Sequence, residues 1–138
     1  MDLTTCRVLV AGSASAEVLV LDEPLSFWGG LDVATGEIID VHHPQRGASL
    51  AGRVVVMPYA RGSSSTANSL AEAIHAGTGP AAIVLGEPDE IVVLGAVVPG
   101  ELYGEWCPVV VADAATFGSL ATGDVLTIDD TGRLTRKR

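Results

Sequence analysis

The sequence predicts an α/β fold with a mainly parallel central sheet, a strand–helix–strand unit and additional β-hairpin strands, all in one domain over residues 1–138. Three observations predict it. Short Val-rich runs bounded by Gly, Asp and Pro recur along the chain, which argues for strands rather than long helices. Three runs, Val54-Val55-Val56, Ala82-Ile83-Val84-Leu85 and Val109-Val110-Val111, are continuous rather than alternating, the pattern of strands covered on both faces. Between the first two lies a segment of helical periodicity. A chain of 138 residues suits a single core that buries roughly two-thirds of its unfolded surface, and it is too short for two.

Taken in order, Arg7–Ala11, Glu17–Leu21, Glu37–Asp40 and Arg53–Met57 read as strands. In Ser64–Ala76, Ala67, Leu70, Ala71 and Ile74 recur at helical spacing and Gly77 supplies the C-terminal cap. Ala81–Leu85 then completes a strand–helix–strand unit, which chain chirality makes parallel and right-handed. Pro88–Pro99 carries two signals: Pro88-Asp89-Glu90 looks like a helix start, whereas Ile91-Val92-Val93-Leu94 is β-branched. A short helix is the reading adopted. Pro108–Ala112 is a strand, Ala114–Leu120 a second short helix, and Asp124–Ile128 with Arg133–Thr135 a terminal hairpin through Asp130-Thr131-Gly132. Leu25–Leu50 has little periodicity, and long loops inside compact domains are uncommon and often functional.

Composition excludes several classes. Eight Lys plus Arg against seventeen Asp plus Glu give a net charge of −9, so no basic stripe is available for nucleic acid. With 48 % apolar and 18 % charged residues the chain is not a disordered tail. No run of eighteen apolar residues occurs, and Met1–Val10 lacks the basic start of a secretion signal, which predicts a soluble cytoplasmic chain that does not enter the membrane. Cys6 and Cys107 lie too far apart for a local metal knuckle, and two thiols cannot hold an iron–sulfur cluster, so neither metal nor cofactor is expected in this chain. A mean hydropathy of +0.40 makes a homodimer of the isolated chain plausible.

The most informative segment is Pro58-Tyr59-Ala60-Arg61-Gly62-Ser63-Ser64-Ser65, where a buried strand gives way to a helix. Unpaired N–H groups and the helix dipole favour anions there, Gly62 allows close approach of the backbone, and Arg61 can pair with a carboxylate. Two readings of the serines stand open: Ser63 or Ser64 as a helix N-cap, or an alkoxide-like Ser63 that removes a proton from a carbon acid. The segment lacks both the G-x-x-x-x-G-K-[ST] of a P-loop and the G-x-S-x-G of a hydrolase elbow. His42-His43 before Pro44 reads as structural more readily than as a metal pair, although Ser63, His43 and Asp40 can be drawn as a triad. Phe27-Trp28-Gly29-Gly30 places two rings beside a hinge and suggests either core packing or an interface anchor. Glu87, Asp89 and Glu90 form an acidic cluster of the kind that caps a helix.

Pro24-Leu25-Ser26-Phe27-Trp28-Gly29-Gly30-Leu31-Asp32, Thr35-Gly36, His42-His43-Pro44, Gly47, Ser49-Leu50-Ala51-Gly52 and Arg61-Gly62-Ser63-Ser64-Ser65, in that order, resemble the small subunit of aconitase X. The resemblance continues to about residue 113 through Glu87, Gly95-Ala96, Glu101-Leu102-Tyr103 and Pro108-Val109-Val110. It implies a swivelling β/β/α domain that works with a separate large subunit, which would carry an iron–sulfur cluster. It further implies a hydro-lyase in which Ser63 accepts the proton and Arg61, Gly62 and Ser64 bind the substrate. Ala60 stands where the family motif has its first glycine. Phe27, Trp28, Gly29, Gly30, His42 and His43 are then candidates for the loop that meets the partner. Of the family's substrates, both small hydroxy acids, cis-3-hydroxy-L-proline is preferred by resemblance over mevalonate 5-phosphate. A swivel domain that binds a partner without catalysing anything is the competing class.

Overall fold

A computed structural model describes residues 2–137. The strands are β1 (Asp2–Thr5), β2 (Arg7–Val10), β3 (Ala14–Val20), β4 (Val54–Met57), β5 (Ala82–Leu85), β6 (Val109–Val111), β7 (Val125–Ile128) and β8 (Arg133–Lys137). The helices are α1 (Phe27–Gly30), a single turn, α2 (Ser64–Ala76), α3 (Glu90–Tyr103) and α4 (Ala114–Ser119).

The strand order is β1-β8-β7-β3-β4-β5-β6-β2. The seven-residue β3 joins two regions: Ala14–Glu17 pairs antiparallel with β7, and Val18–Val20 pairs parallel with β4. β3, β4, β5 and β6 are mutually parallel, while β1, β8 and β7 form an antiparallel layer and β2 runs antiparallel to β6. Alternation along β4 and β5 sends their side chains into two cores. Val55, Met57, Ile83 and Leu85 join Leu70 and Ala73 of α2, Val92 and Ala96 of α3, and Leu25, Phe27, Leu31, Ile38 and Leu50 of the long connection. Val54, Val56, Ala82 and Val84 join Leu126, Ile128 and Leu134 of the antiparallel layer. The parallel sheet is thus the middle of three layers, β/β/α, and both of its faces are dry, which is why its strands carry no polar alternation.

Helices α2 and α3 cross closely, and Gly95 permits it. A Cβ on Gly95 would stand 2.9 Å from the Ala67 carbonyl oxygen and 2.9 Å from Leu70 Cδ2. Gly95→Ala gains about 1 kcal/mol of helix propensity, but the carbonyl cannot retreat without separating the helices, at a cost of about 1–3 kcal/mol. Chemical denaturation is expected to show a net loss of up to about 2 kcal/mol, since overpacking at least offsets propensity; a stabilised variant would place the crossing elsewhere.

The structure corrects several boundaries. Glu37–Asp40 is not a strand: Ile38 and Glu37 make only isolated bridges to Leu31 and Ser49, inside a loop stitched by turns. Pro88–Pro99 becomes the fourteen-residue α3, because Asp89 caps it and the β-branched residues pack on α2 and the sheet, overriding their strand propensity. It runs through Pro99 and ends at Gly104, whose N–H reaches the Gly100 and Pro99 carbonyls. β1 was not among the expected strands. No helix among the described residues is long and apolar enough to cross a membrane.

Candidate active site

Three loops leave the C-terminal ends of parallel strands and meet at one edge of the sheet, the position where open α/β sheets hold their ligands. The loop after β4 carries Pro58–Ser63. It is fastened on one side to the loop after β3, by Arg61 N–H donating to the Leu25 carbonyl at 3.1 Å. On the other side the loop after β5 holds it: the Gly86 and Glu87 amides donate to the Pro58 carbonyl at 3.1 and 3.2 Å, and Ala60 N–H donates to Asp89 Oδ2 at 2.9 Å. The other oxygen of Asp89 accepts from Ile91 and Val92 N–H at the start of α3. One carboxylate therefore caps a helix and braces the loop one residue before Arg61.

Ser63 is the N-cap of α2, in extended conformation, and its Oγ accepts from Ser65 N–H at 3.4 Å. The residue is exposed. The cap and base readings do not exclude each other: an accepted amide hydrogen bond lowers the cost of negative charge on the same oxygen. The next amides of the first turn add to that field. Gly62 has φ +113°, beyond what an L side chain adopts, and Thr66 and Ser26 crowd the place where its Cβ would be. Arg61 projects into solvent, with Nη2 only 3.5 Å from Glu23 Oε1 and both side chains about half exposed, a pairing a ligand carboxylate can displace. Ser64 is exposed in the first turn.

Two hydroxyls connect this turn to the aromatic segment. Thr66, buried, donates to the Arg61 carbonyl at 3.1 Å and lies 3.1 Å from Ser26 Oγ, which in turn reaches the Trp28 carbonyl at 2.9 Å. Ser26, Thr66 and Asp89 are positioning residues that sequence reasoning had not assigned. Asp89 was legible as a helix cap but not as a brace for the loop, and Ser26 and Thr66 show only as polar residues beside buried apolar ones.

The candidate interface residues separate. Trp28 is 66 % exposed beside Gly29, which has φ +77°, whereas Phe27 is 0 % exposed and belongs to the core. Gly30 is buried as well. Of the two readings open for this segment, burial gives Phe27 and Gly30 to core packing and leaves Trp28 free for an interface: the turn at Trp28 and Gly29 points consecutive rings in opposite directions. His43 follows the structural reading. It is 5 % exposed, its Nε2 bonds to the Glu23 carbonyl at 3.0 Å, and Gln45 N–H donates to its Nδ1 at 3.1 Å, which fixes the Nε2–H tautomer. Both ring nitrogens are used by backbone, and Asp40 caps the same turn through His42 N–H, so the Ser63, His43, Asp40 triad is not assembled. His42 remains exposed.

Cys6 and Cys107 lie in different cores and do not come together on one ion. Burial pushes the Cys107 thiol up to about 12; Cys6 is pushed up to about 11, by burial first and then by the charge of Asp113. Among the described residues no group of three or more His, Cys, Asp and Glu is placed to hold an ion. The described residues do not supply the donor set of an iron–sulfur centre.

Comparison with known proteins places the chain. It is 52 % identical over 103 residues to cis-3-hydroxy-L-proline dehydratase of Pseudomonas aeruginosa, a match covering 75 % of the chain but 18 % of that relative. It is 39 % identical over 95 residues to the phosphomevalonate dehydratase small subunit of Methanothermobacter thermautotrophicus, covering 69 % and 72 % of the two chains. The chain thus spans about a fifth of the first of these relatives. Its fold superposes on the crystal structure of Thermococcus kodakaraensis aconitase X in the holo form with a TM-score of 0.85 at 32 % identity, over 97 % of each chain. Residues 3–136 match the family described as the aconitase X swivel domain, and the chain belongs to that family.

Proposed function

We propose that this chain is the swivelling small subunit of an aconitase-X-type dehydratase, a hydro-lyase, and that it supplies the proton-accepting serine. One observation carries the reading: the Ser63 hydroxyl is exposed where three strand-end loops converge, and it receives an amide N–H from the helix it caps. In a dehydration the substrate loses a C–H proton and a neighbouring hydroxide, a C=C bond forms between the two carbons, and the proton and hydroxide together account for the one water eliminated. Ser63 Oγ takes the proton. Serine is a weak base, so its deprotonated form has to be held by fixed dipoles and positive charge out of water. The first-turn amides and Arg61 are the groups placed for that work, and Arg61 also orients a substrate carboxylate, with Gly62 and Ser64 lining the anion's approach.

Ser63 lies at an open edge, so the site needs a second wall. In this reading the wall is a large subunit, which also carries the iron–sulfur centre that this chain does not. Trp28, exposed and tied through Ser26 to Thr66, anchors that contact.

The substrate favoured is cis-3-hydroxy-L-proline. Identity of 52 % to the dehydratase named for it supports this choice over mevalonate 5-phosphate. The chain's side of the site also offers one exposed guanidinium, enough for a carboxylate, and no Lys/Arg cluster for a phosphate. The test is to co-express the chain with its large subunit and assay both compounds. Turnover of hydroxyproline is expected; turnover of only the phosphorylated acid overturns the substrate, and turnover of neither overturns the enzyme.

A further inference from the structure

A groove runs along the outer side of α3, and the proposed function leaves it unused. Its first part, about 540 Å³, is lined by Arg7, Leu9, Asp89, Leu94 and Val97. Its second, about 740 Å³, shares Leu9 and Val97 and continues past Glu101 and Trp106 to Asp130. One wall is α3, which is apolar on nearly every side: Leu94 is 49 % exposed and Val93 and Val97 beside it are only partly buried, on a helix whose opposite face is already packed. The other wall is β2, the last strand in the sheet order, paired among the described residues with β6 alone. An apolar trough beside an open strand edge fits a chain that adds a strand, its backbone bonding to the edge and alternate side chains entering the trough.

The charge around the groove selects the occupant. Asp89, Glu90, Glu101 and Asp130 rim it, against Arg7. A second copy of this chain, at net charge −9, brings more of the same sign. A segment bearing Lys or Arg is favoured instead. The groove also starts at Asp89, the residue that braces the Ala60–Arg61 loop, and so at the edge from which Ser63 and Trp28 project. We propose that the open edge of β2 and the exposed side of α3 together seat an extended, apolar, Lys/Arg-bearing segment of the large subunit. The inference rests on the two-chain reading above, and it assigns the place where the second chain grips.

The test uses the assembled pair. Leu94→Lys and Glu101→Lys alter exposed side chains of α3, and circular dichroism confirms that each variant is folded. Each is expected to weaken association by about tenfold or more, with the wild-type complex weakened by added salt and the Glu101→Lys complex less so. At saturating large subunit kcat returns to the wild-type value, because neither residue touches the Ser63 edge. Backbone amides of residues 7–13 are expected to gain protection from hydrogen exchange in the complex. Unchanged affinity in both variants, unprotected amides, a pair that does not associate, or variants that break only a homodimer of this chain would each overturn the proposal. A pair that forms with those amides protected yet dehydrates nothing leaves the docking site standing and removes the catalytic reading instead.

Discussion

Ser63→Ala, assayed in the complex with the large subunit, is expected to lower kcat by about 100- to 10,000-fold, the range that a positioned general base contributes. KM should change little, because the first-turn amides and Arg61, the groups proposed to hold the substrate's anion, remain. Folding should hardly respond. The cap hydrogen bond is long, at 3.4 Å, so its loss belongs at the low end of the 0.5–2 kcal/mol usual for a Ser N-cap. The two readings of Ser63 therefore separate by measurement. A capping serine alone moves stability and leaves turnover intact, while a base moves turnover and leaves stability nearly intact. Ser63→Thr sharpens the contrast, since it keeps both the hydroxyl and the capping geometry; part of the activity should return with it. Near-normal kcat for Ser63→Ala, with association and folding unchanged, removes Ser63 from the chemistry.

The parallel middle layer was legible because burial on both faces forces continuous apolar runs bounded by turn residues. Helix α2 was legible for a different reason: its apolar period, its serine-rich start and Gly77 all agree. Where local signals disagreed, packing decided. Ile91-Val92-Val93-Leu94 carries strand propensity, yet Asp89 starts a helix there and Gly95 lets that helix close on α2. The loop between β3 and β4 was legible as a functional element only in part. Adjacent residues in it have opposite fates, Phe27 buried and Trp28 exposed, His43 buried and His42 exposed, and no period predicts which side a turn presents. The Arg61-Gly62-Ser63 turn stood out from residue type and position. Its supports did not, because Ser26 joins Thr66 across 40 residues of sequence and Asp89 joins Ala60 across 29, and only the fold brings them together.

Those supports carry the second large effect. Gly62→Ala is expected to disable the site without touching a reacting group. The substitution asks an L residue to hold φ +113°, which costs about 1–3 kcal/mol. It also drives a methyl group into the Thr66 hydroxyl, which is buried and bonded to the Arg61 carbonyl. Thr66 sits in the first turn of α2, so it cannot swing away without tilting that turn. Relief therefore comes from the loop, which moves Arg61 and Ser63 together. Displacement of a catalytic group by about 1 Å is enough for about a hundredfold loss of rate, and the expected result is that loss in kcat together with a stability decrease of about 2–4 kcal/mol from strain and overpacking combined. A double-mutant cycle with Thr66→Ala identifies the cause. Removing the Thr66 side chain makes room for the new methyl, so the pair should be less destabilised than the sum of the single variants by about 1 kcal/mol or more. Strictly additive costs would mean that the backbone angle alone matters at Gly62, and that the hydroxyl chain from Ser26 to Arg61 does not hold the serine in place.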